Sequence, residues 1–345
     1  MIYNLLYVSM VLCSVISRDH HDYRRFFYFI WLCVLFVFAG FRLNVGCDWD
    51  GYKNIFEQLR YVDISDAVQE REPLFMLANT LLHRYDLEYP YINVICSFIF
   101  FLGMHRLAKR EPDPYGILVL SFPVLILNLP MSGIRQAAAI GIMCFAYNAF
   151  NDGRLIRFVV FVIVASGLHA SAVIFLIFAP FVHGELTRRR IVIAGLITLP
   201  ITARFILTLD SFREYSDNYA AAGSVVAGGA PFRTGLLALT GAWFLWRFRR
   251  DWQIRSIHDY KLVWFGSVMM VATFPVSFIS SVIGDRFGYY LVPIQLVFLA
   301  RLPFLGPRSR ILPMVPYIAG AAYLVVWTQT SSIFEQCYIP YNFWW

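Results

Sequence analysis

The sequence predicts an all-α, polytopic integral membrane protein with about 10–12 transmembrane helices, including one short hairpin, in a single domain over residues 1–345. Three observations carry that prediction. Hydrophobic residues make up 59% of the chain, aromatics 18% and charged residues only 15%, with a mean hydropathy of +0.60. A soluble domain carries about 25% charge, so this chain is too apolar to fold alone in water. The apolar residues fall in long runs without alternation, which suits helices that satisfy their own backbone groups in lipid and does not suit barrel strands. Basic clusters punctuate the runs at Arg18–Arg25, Arg106–Arg110, Arg154–Arg157, Arg188–Arg190, Arg247–Lys261 and Arg301–Arg310.

Lys and Arg favour cytoplasmic loops, so all these clusters are placed inside and both termini outside. The net charge of +7 then reflects cytoplasmic loops, and no nucleic-acid partner is inferred. Met1–Ser17 lacks a basic leader and a small-residue cleavage site, and reads as a first helix. Further spans lie near residues 26–41, 89–104, 115–131, 134–150, 191–208, 233–247, 262–283, 286–301 and 311–330. Phe158–His183 lies between two cytoplasmic loops yet is too short for two full spans. It predicts the hairpin or re-entrant pair, with Gly167–His169 at its tip.

Residues 42–88 form the first extracytoplasmic segment. Within it Pro73–Leu82 is apolar but too short to span, predicting a re-entrant or interfacial helix with Pro73 in its first turn. Residues 210–232 form the second extracytoplasmic loop. Cys13, Cys33, Cys47, Cys96, Cys144 and Cys337 show no close pair and no metal-ligand spacing, and are expected to be packing residues.

This topology collects ionisable residues at the outer ends of the spans: Arg42, Asp48, Asp50, Glu72, Arg135, His169, Arg233, Asp285 and Arg286. A charge at the centre of a span costs about 2.5–3.5 kcal/mol even on insertion scales, so such residues persist where they are paired or used. Any one of them could brace two helices. The whole set on one face predicts a shared polar cavity. Arginine forks suit phosphate oxygens, aromatics such as Trp49 and Tyr52 suit sugar faces, and a carboxylate or imidazole can take a hydroxyl proton. Arg135, in Ser132-Gly133-Ile134-Arg135-Gln136, starts a helix whose N-terminus also favours anions. Gly284-Asp285-Arg286 reads as an outer turn with Asp285 capping the next helix. The pair Asp48-Trp49-Asp50 has the spacing of a metal-binding motif, but that match is common by chance.

The strings Phe41-Arg42-Leu43-Asn44-Val45-Gly46-Cys47-Asp48-Trp49-Asp50-Gly51-Tyr52, Glu72-Pro73-Leu74-Phe75, Ser132-Gly133-Ile134-Arg135-Gln136 and His169-Ala170-Ser171 resemble the EpsG family of bacterial membrane proteins. That family is similar to the Wzy-type polymerases of O-antigen, capsule and exopolysaccharide. The resemblance is carried by roughly residues 30–180. It implies a helical fold like that of the GT-C transferases, in the bacterial inner membrane with the active site facing the periplasm or exterior. The implied reaction joins undecaprenyl-diphosphate-linked oligosaccharide repeat units and releases undecaprenyl diphosphate. Partners implied are those lipid-linked glycans, membrane lipid and a chain-length regulator protein.

On this reading Arg42, Arg135 and Arg286 bind the diphosphate, and Asp48, Glu72 and His169 are the catalytic candidates, with Asp48 preferred as base. Tyr52, Trp49, Gln136 and Arg233 are sugar or acceptor contacts. Three arginines make a metal unnecessary, so the expectation names no metal and no cofactor. The alternatives are another lipid-linked-sugar transferase of the GT-C class, an O-antigen ligase, or a lipid-linked oligosaccharide transporter. A transporter would favour midplane charges and repeated halves.

Overall fold

The computed structural model describes residues 2–183, 187–190, 192, 193, 196, 229–305 and 311–344. In chain order the helices are α1 (Ile2–Ile16), α2 (His21–Gly40), α3 (Trp49–Gln58), α4 (Ile64–Ala67), α5 (Pro73–Arg84), α6 (Pro90–Ala108), α7 (Pro114–Ser121), α8 (Ile134–Asn151) and α9 (Leu155–Leu168). There follow α10 (Ala230–Trp243), α11 (Arg249–Arg255), α12 (Tyr260–Ile279), α13 (Ser281–Arg301), α14 (Val315–Thr330) and α15 (Ser332–Tyr338). A tight 3-10 helix, Ala170–Phe181, follows α9. The one sheet among the described residues is a two-residue antiparallel ribbon of β1 (Arg42–Leu43) and β2 (Asn342–Phe343). The protein is therefore an all-α polytopic membrane protein. Among the described residues four helices are long and apolar enough to cross a bilayer: α2, α6, α12 and the stretch Ser281–Leu305. Shorter apolar helices lie at Ile2–Ile16, Pro114–Ile126, Leu155–Leu168 and Ala170–Phe181.

The chain divides into two compact units, Met1–Cys144 with Val164–Ala170 and Leu296–Trp345, and Phe145–Ile163 with Ser171–Gln295. In the first, α2 and α6 run antiparallel. Tyr28 hydrogen-bonds His105 at one end (2.9 Å), and Gly40 sits against Val94 and Ser97 at the other. Helices α6 and α8 meet backbone to backbone: a Cβ on Gly103 would lie 2.0 Å from the Gly141 carbonyl oxygen. At the end of α2 remote from Arg42, the Arg24 fork grips Asp113 at 2.8 and 2.5 Å, and Arg301 pairs with Glu111. Twenty residues of α2 separate the two ends by about 30 Å, one hydrocarbon thickness. The charges of this unit thus gather at its two ends.

In the second unit α10 packs along α12. Polar side chains tie its helices: Thr234 donates to Ser277 (3.0 Å), and Gln295 donates to Thr240 (2.9 Å).

Several expectations change. Cys47 and Cys337 are not packing residues; they form a disulfide across 290 residues of sequence. Helix α13 starts at Ser281, with Gly284 N donating to Ser280 O, so Gly284-Asp285-Arg286 lies inside the helix and the turn falls at Ser280. Asp285 caps nothing there, because its carboxylate is gripped by Arg233 at 2.8 and 2.7 Å. The span at 115–131 is interrupted by a π-helical turn, Phe122–Ile126, where Pro123 cannot supply a backbone donor. The proposed hairpin tip does coincide with a break, since α9 ends at Leu168 and the 3-10 helix begins at Ala170. Residues 191, 194, 195 and 197–228 lie outside the described residues, so most of the span at 191–208 and most of the second outer loop do too.

Candidate active site

The site is built around one carboxylate. Pro73 fixes the first turn of α5, and Glu72, just before it, has a non-helical backbone and does not cap the helix with its side chain. The carboxylate turns inward instead and is only 5% exposed. Arg135 Nη1, from the first turn of α8, donates to Glu72 Oε2 at 2.5 Å. His169 Nδ1 lies 2.6 Å from Oε1, and the Ala170 backbone N–H, at the start of the 3-10 helix, donates to the same oxygen at 3.1 Å. Burial pushes the Glu72 carboxyl up, but the hydrogen bond from His169, the Arg135 guanidinium and the Ala170 N–H outweigh it. They hold the carboxyl at about 2. An ionised carboxylate only accepts, so Nδ1 carries the imidazole proton.

Aromatic rings enclose the arginine. Its guanidinium carbon lies 5.2 Å from the Tyr52 ring centroid and 5.6 Å from that of Phe75. Its side chain keeps 27% of its surface exposed, and its Nε has no hydrogen-bond partner among the described residues. Arg135 is therefore fixed in place without its donors being exhausted. Burial raises the Tyr52 phenol to about 12, against the pull of Arg135, so it stays a neutral hydroxyl.

The first outer motif docks on the turn that precedes Arg135. Gly46 has φ +105, and a Cβ there would lie 1.9 Å from the Met131 carbonyl oxygen, so only glycine allows this approach. Ser132 Oγ donates to Asp48 Oδ2 (3.0 Å) and lies 3.3 Å from the Asp48 backbone N–H. Asp48 itself is exposed and precedes α3, where Tyr52 lies one turn on. Asp48, Tyr52, Glu72, Arg135 and His169, predicted separately, are thus brought to one region of the first unit, with Gln136 buried beside Arg135.

Three expected roles change. Arg42 is 1% exposed, and its fork donates to the carbonyls of Val45 (2.9 Å) and Ala39 (2.5 Å) and to Asn93 (3.3 Å). It shapes the loop and offers nothing to an anion. Trp49 is buried, edge-on to Tyr89 and beneath Arg42, so its face is closed to a sugar. Tyr52 is likewise buried, its ring spent on Arg135. Arg233 and Arg286 belong to the second unit: Arg233 is clamped to Asp285 and lies over Tyr289, and Arg286 is half-buried in the second turn of α13. The residues missed by sequence are Ser132, the Ala170 N–H and the C-terminal stretch around Cys337. The odd signal for the last was two cysteines outside the spans, Cys47 and Cys337, each beside a tyrosine- or tryptophan-rich string.

The described residues thus form a polytopic helical membrane protein in which one buried carboxylate joins an arginine to a histidine. The EpsG family model matches residues 25–343, and the chain belongs to that family. It is a polysaccharide-polymerase-like membrane protein. Comparison with curated proteins and with solved structures finds no match.

Proposed function

We propose that this protein polymerises a polysaccharide on the extracytoplasmic face of the bacterial inner membrane. It joins undecaprenyl-diphosphate-linked oligosaccharide repeat units. The observation that carries the reading is the Glu72 carboxylate holding Arg135 and His169 side by side. In each transfer the acceptor hydroxyl oxygen bonds to the donor's anomeric carbon, and the bond from that carbon to the diphosphate oxygen breaks. Undecaprenyl diphosphate leaves with the electron pair, and the hydroxyl proton passes to a base.

Glu72 is a poor base, because it is held ionised at about 2 and already accepts three hydrogen bonds. Its work is positioning. With Nδ1 committed to Glu72, the His169 Nε2 is the base of this proposal, in place of Asp48. Asp48, exposed beside Ser132, receives the acceptor sugar's hydroxyls. Arg135 meets the leaving diphosphate, where a charge-assisted donor counts most as the bond breaks. Arg286 and Arg233 remain proposed contacts of the second unit. The Cys47–Cys337 bond supports the outer location, since disulfides persist in oxidising compartments.

The test is extension in vitro with purified protein in lipid, lipid-diphosphate-linked repeat units and EDTA. A polymer ladder with stoichiometric release of undecaprenyl diphosphate is expected. Failure to extend while substrate crosses the bilayer would make the protein a transporter. Extension only after divalent metal is restored would return the weight to Asp48 and Asp50.

A further inference from the structure

We propose that the C-terminal strap, residues 331–344, is a positioning element of the site that acts through the Cys47–Cys337 bond. The strap leaves α14 at Ser331, forms α15, and returns along the first outer motif. Its β2 pairs with β1, placing Asn342 opposite Leu43 and Phe343 opposite Arg42, and Trp344 N donates to Phe41 O at 2.9 Å. Two consecutive residues do the joining. Cys337 is bonded to Cys47, and its carbonyl accepts from Gly46 N at 2.7 Å. Tyr338, buried at 2%, donates its hydroxyl to the Leu127 carbonyl at 2.9 Å, just ahead of the turn that carries Ser132 and Arg135. Tyr338 is itself held by Tyr3, whose hydroxyl donates to the Tyr338 carbonyl, and by the rings of Phe334 and Trp327.

The Gly46-Cys47-Asp48 loop therefore has two walls, the Met131–Ser132 turn on one side and the strap on the other. Asn44 and Gly46 are both in left-handed conformations, at φ 53 and φ 105; Val45 between them is buried with its carbonyl held by Arg42, whereas Cys47 and Asp48 are exposed. The exposed Cys47-Asp48 end is held by those two walls, Cys47 by the strap and Asp48 by Ser132. Without the disulfide the strap keeps its ring contacts but no longer fixes Cys47, and Asp48 loses its register with Ser132. That the strap matters for catalysis rests on Asp48 meeting the acceptor, as proposed above. That it positions the loop does not.

The test uses the full-length protein in lipid. A phosphine reduces the disulfide to two thiols, and the four remaining cysteines, Cys13, Cys33, Cys96 and Cys144, are already thiols. Hydrogen exchange by mass spectrometry is expected to rise in residues 44–50 and 128–134 on reduction and to stay unchanged in 73–84. Chain extension is expected to fall tenfold or more. Cys47→Ser, Cys337→Ser and the double variant should show the same loss, and the double variant should ignore phosphine. Adding Asp48→Asn to Cys337→Ser should cost nothing further, because both act on one group. Unchanged exchange and rate on reduction would overturn the proposal, as would exchange rising throughout the chain, which marks a merely structural bond. If even the oxidised wild type fails to extend glycan while the local exchange change appears, the polymerase reading fails and the positioning role stands.

Discussion

Glu72 is a buried ion, and three donors offset the cost of its burial. The partners lie 63 and 97 residues away in sequence, so nothing local to Glu72-Pro73 announces them. What the sequence did reveal was the outlier status of each charge: Arg135 and His169 each interrupt apolar runs, and a charge there needs a reason. Which of them would be hub, clamp or loop brace was illegible. Arg42 shows why: only the backbone carbonyls of Ala39 and Val45 decide that its fork is consumed internally. Because Glu72 is shifted down from 4.5 to about 2, its ionised form stabilises the fold above pH 4.5, and that stabilisation is lost as pH falls toward 2. Glu72→Gln should lower the melting temperature at pH 7 and flatten its fall between pH 5 and 3 relative to wild type. Parallel melting curves for the two proteins across that range would remove Glu72 from its role as the ionised hub.

At the level of elements, helix positions followed hydrophobic runs closely. The short helix expected over Pro73–Leu82 emerges as α5 with Pro73 in its first turn, and a break falls at His169, where the tip was expected. Boundaries failed where tertiary contacts decide them. Gly284-Asp285 reads as a turn, yet the Arg233 fork neutralises Asp285 within α13. The amphipathic α3, Trp49–Gln58, was hidden inside what reads as a polar loop, because its buried face is only Trp49, Tyr52 and Phe56. Two glycines of one motif make opposite predictions. Gly46→Ala forces a left-handed alanine against Met131 O and should cost about 1–3 kcal/mol or more. Gly51 lies in α3 with nothing within 4 Å of a new Cβ, so Gly51→Ala should leave stability unchanged or raise it by up to about 1 kcal/mol. Thermal melting of the two variants side by side checks this; equal destabilisation would mean that the loop does not rest on the Met131–Ser132 turn.

For the whole molecule, the membrane class was legible from composition alone, because 59% hydrophobic residues in long runs leave no soluble alternative. The C-terminal strap was not, since cysteines 290 residues apart carry no spacing signal and a two-residue ribbon has no periodicity. Glycosyl transfer at the Glu72-centred cluster, as proposed, needs Arg135 on the leaving diphosphate. The most direct measurement is the extension assay run on wild type, Arg135→Ala and Arg135→Lys, each first shown by size exclusion to be monodisperse. Removing one such donor from a transition state typically costs about 100–1,000-fold, and lysine cannot replace the fork. Arg135→Ala should give no ladder and Arg135→Lys a severely shortened one, with both proteins folded. A normal ladder from folded Arg135→Ala would contradict that role and move the chemistry elsewhere in the chain.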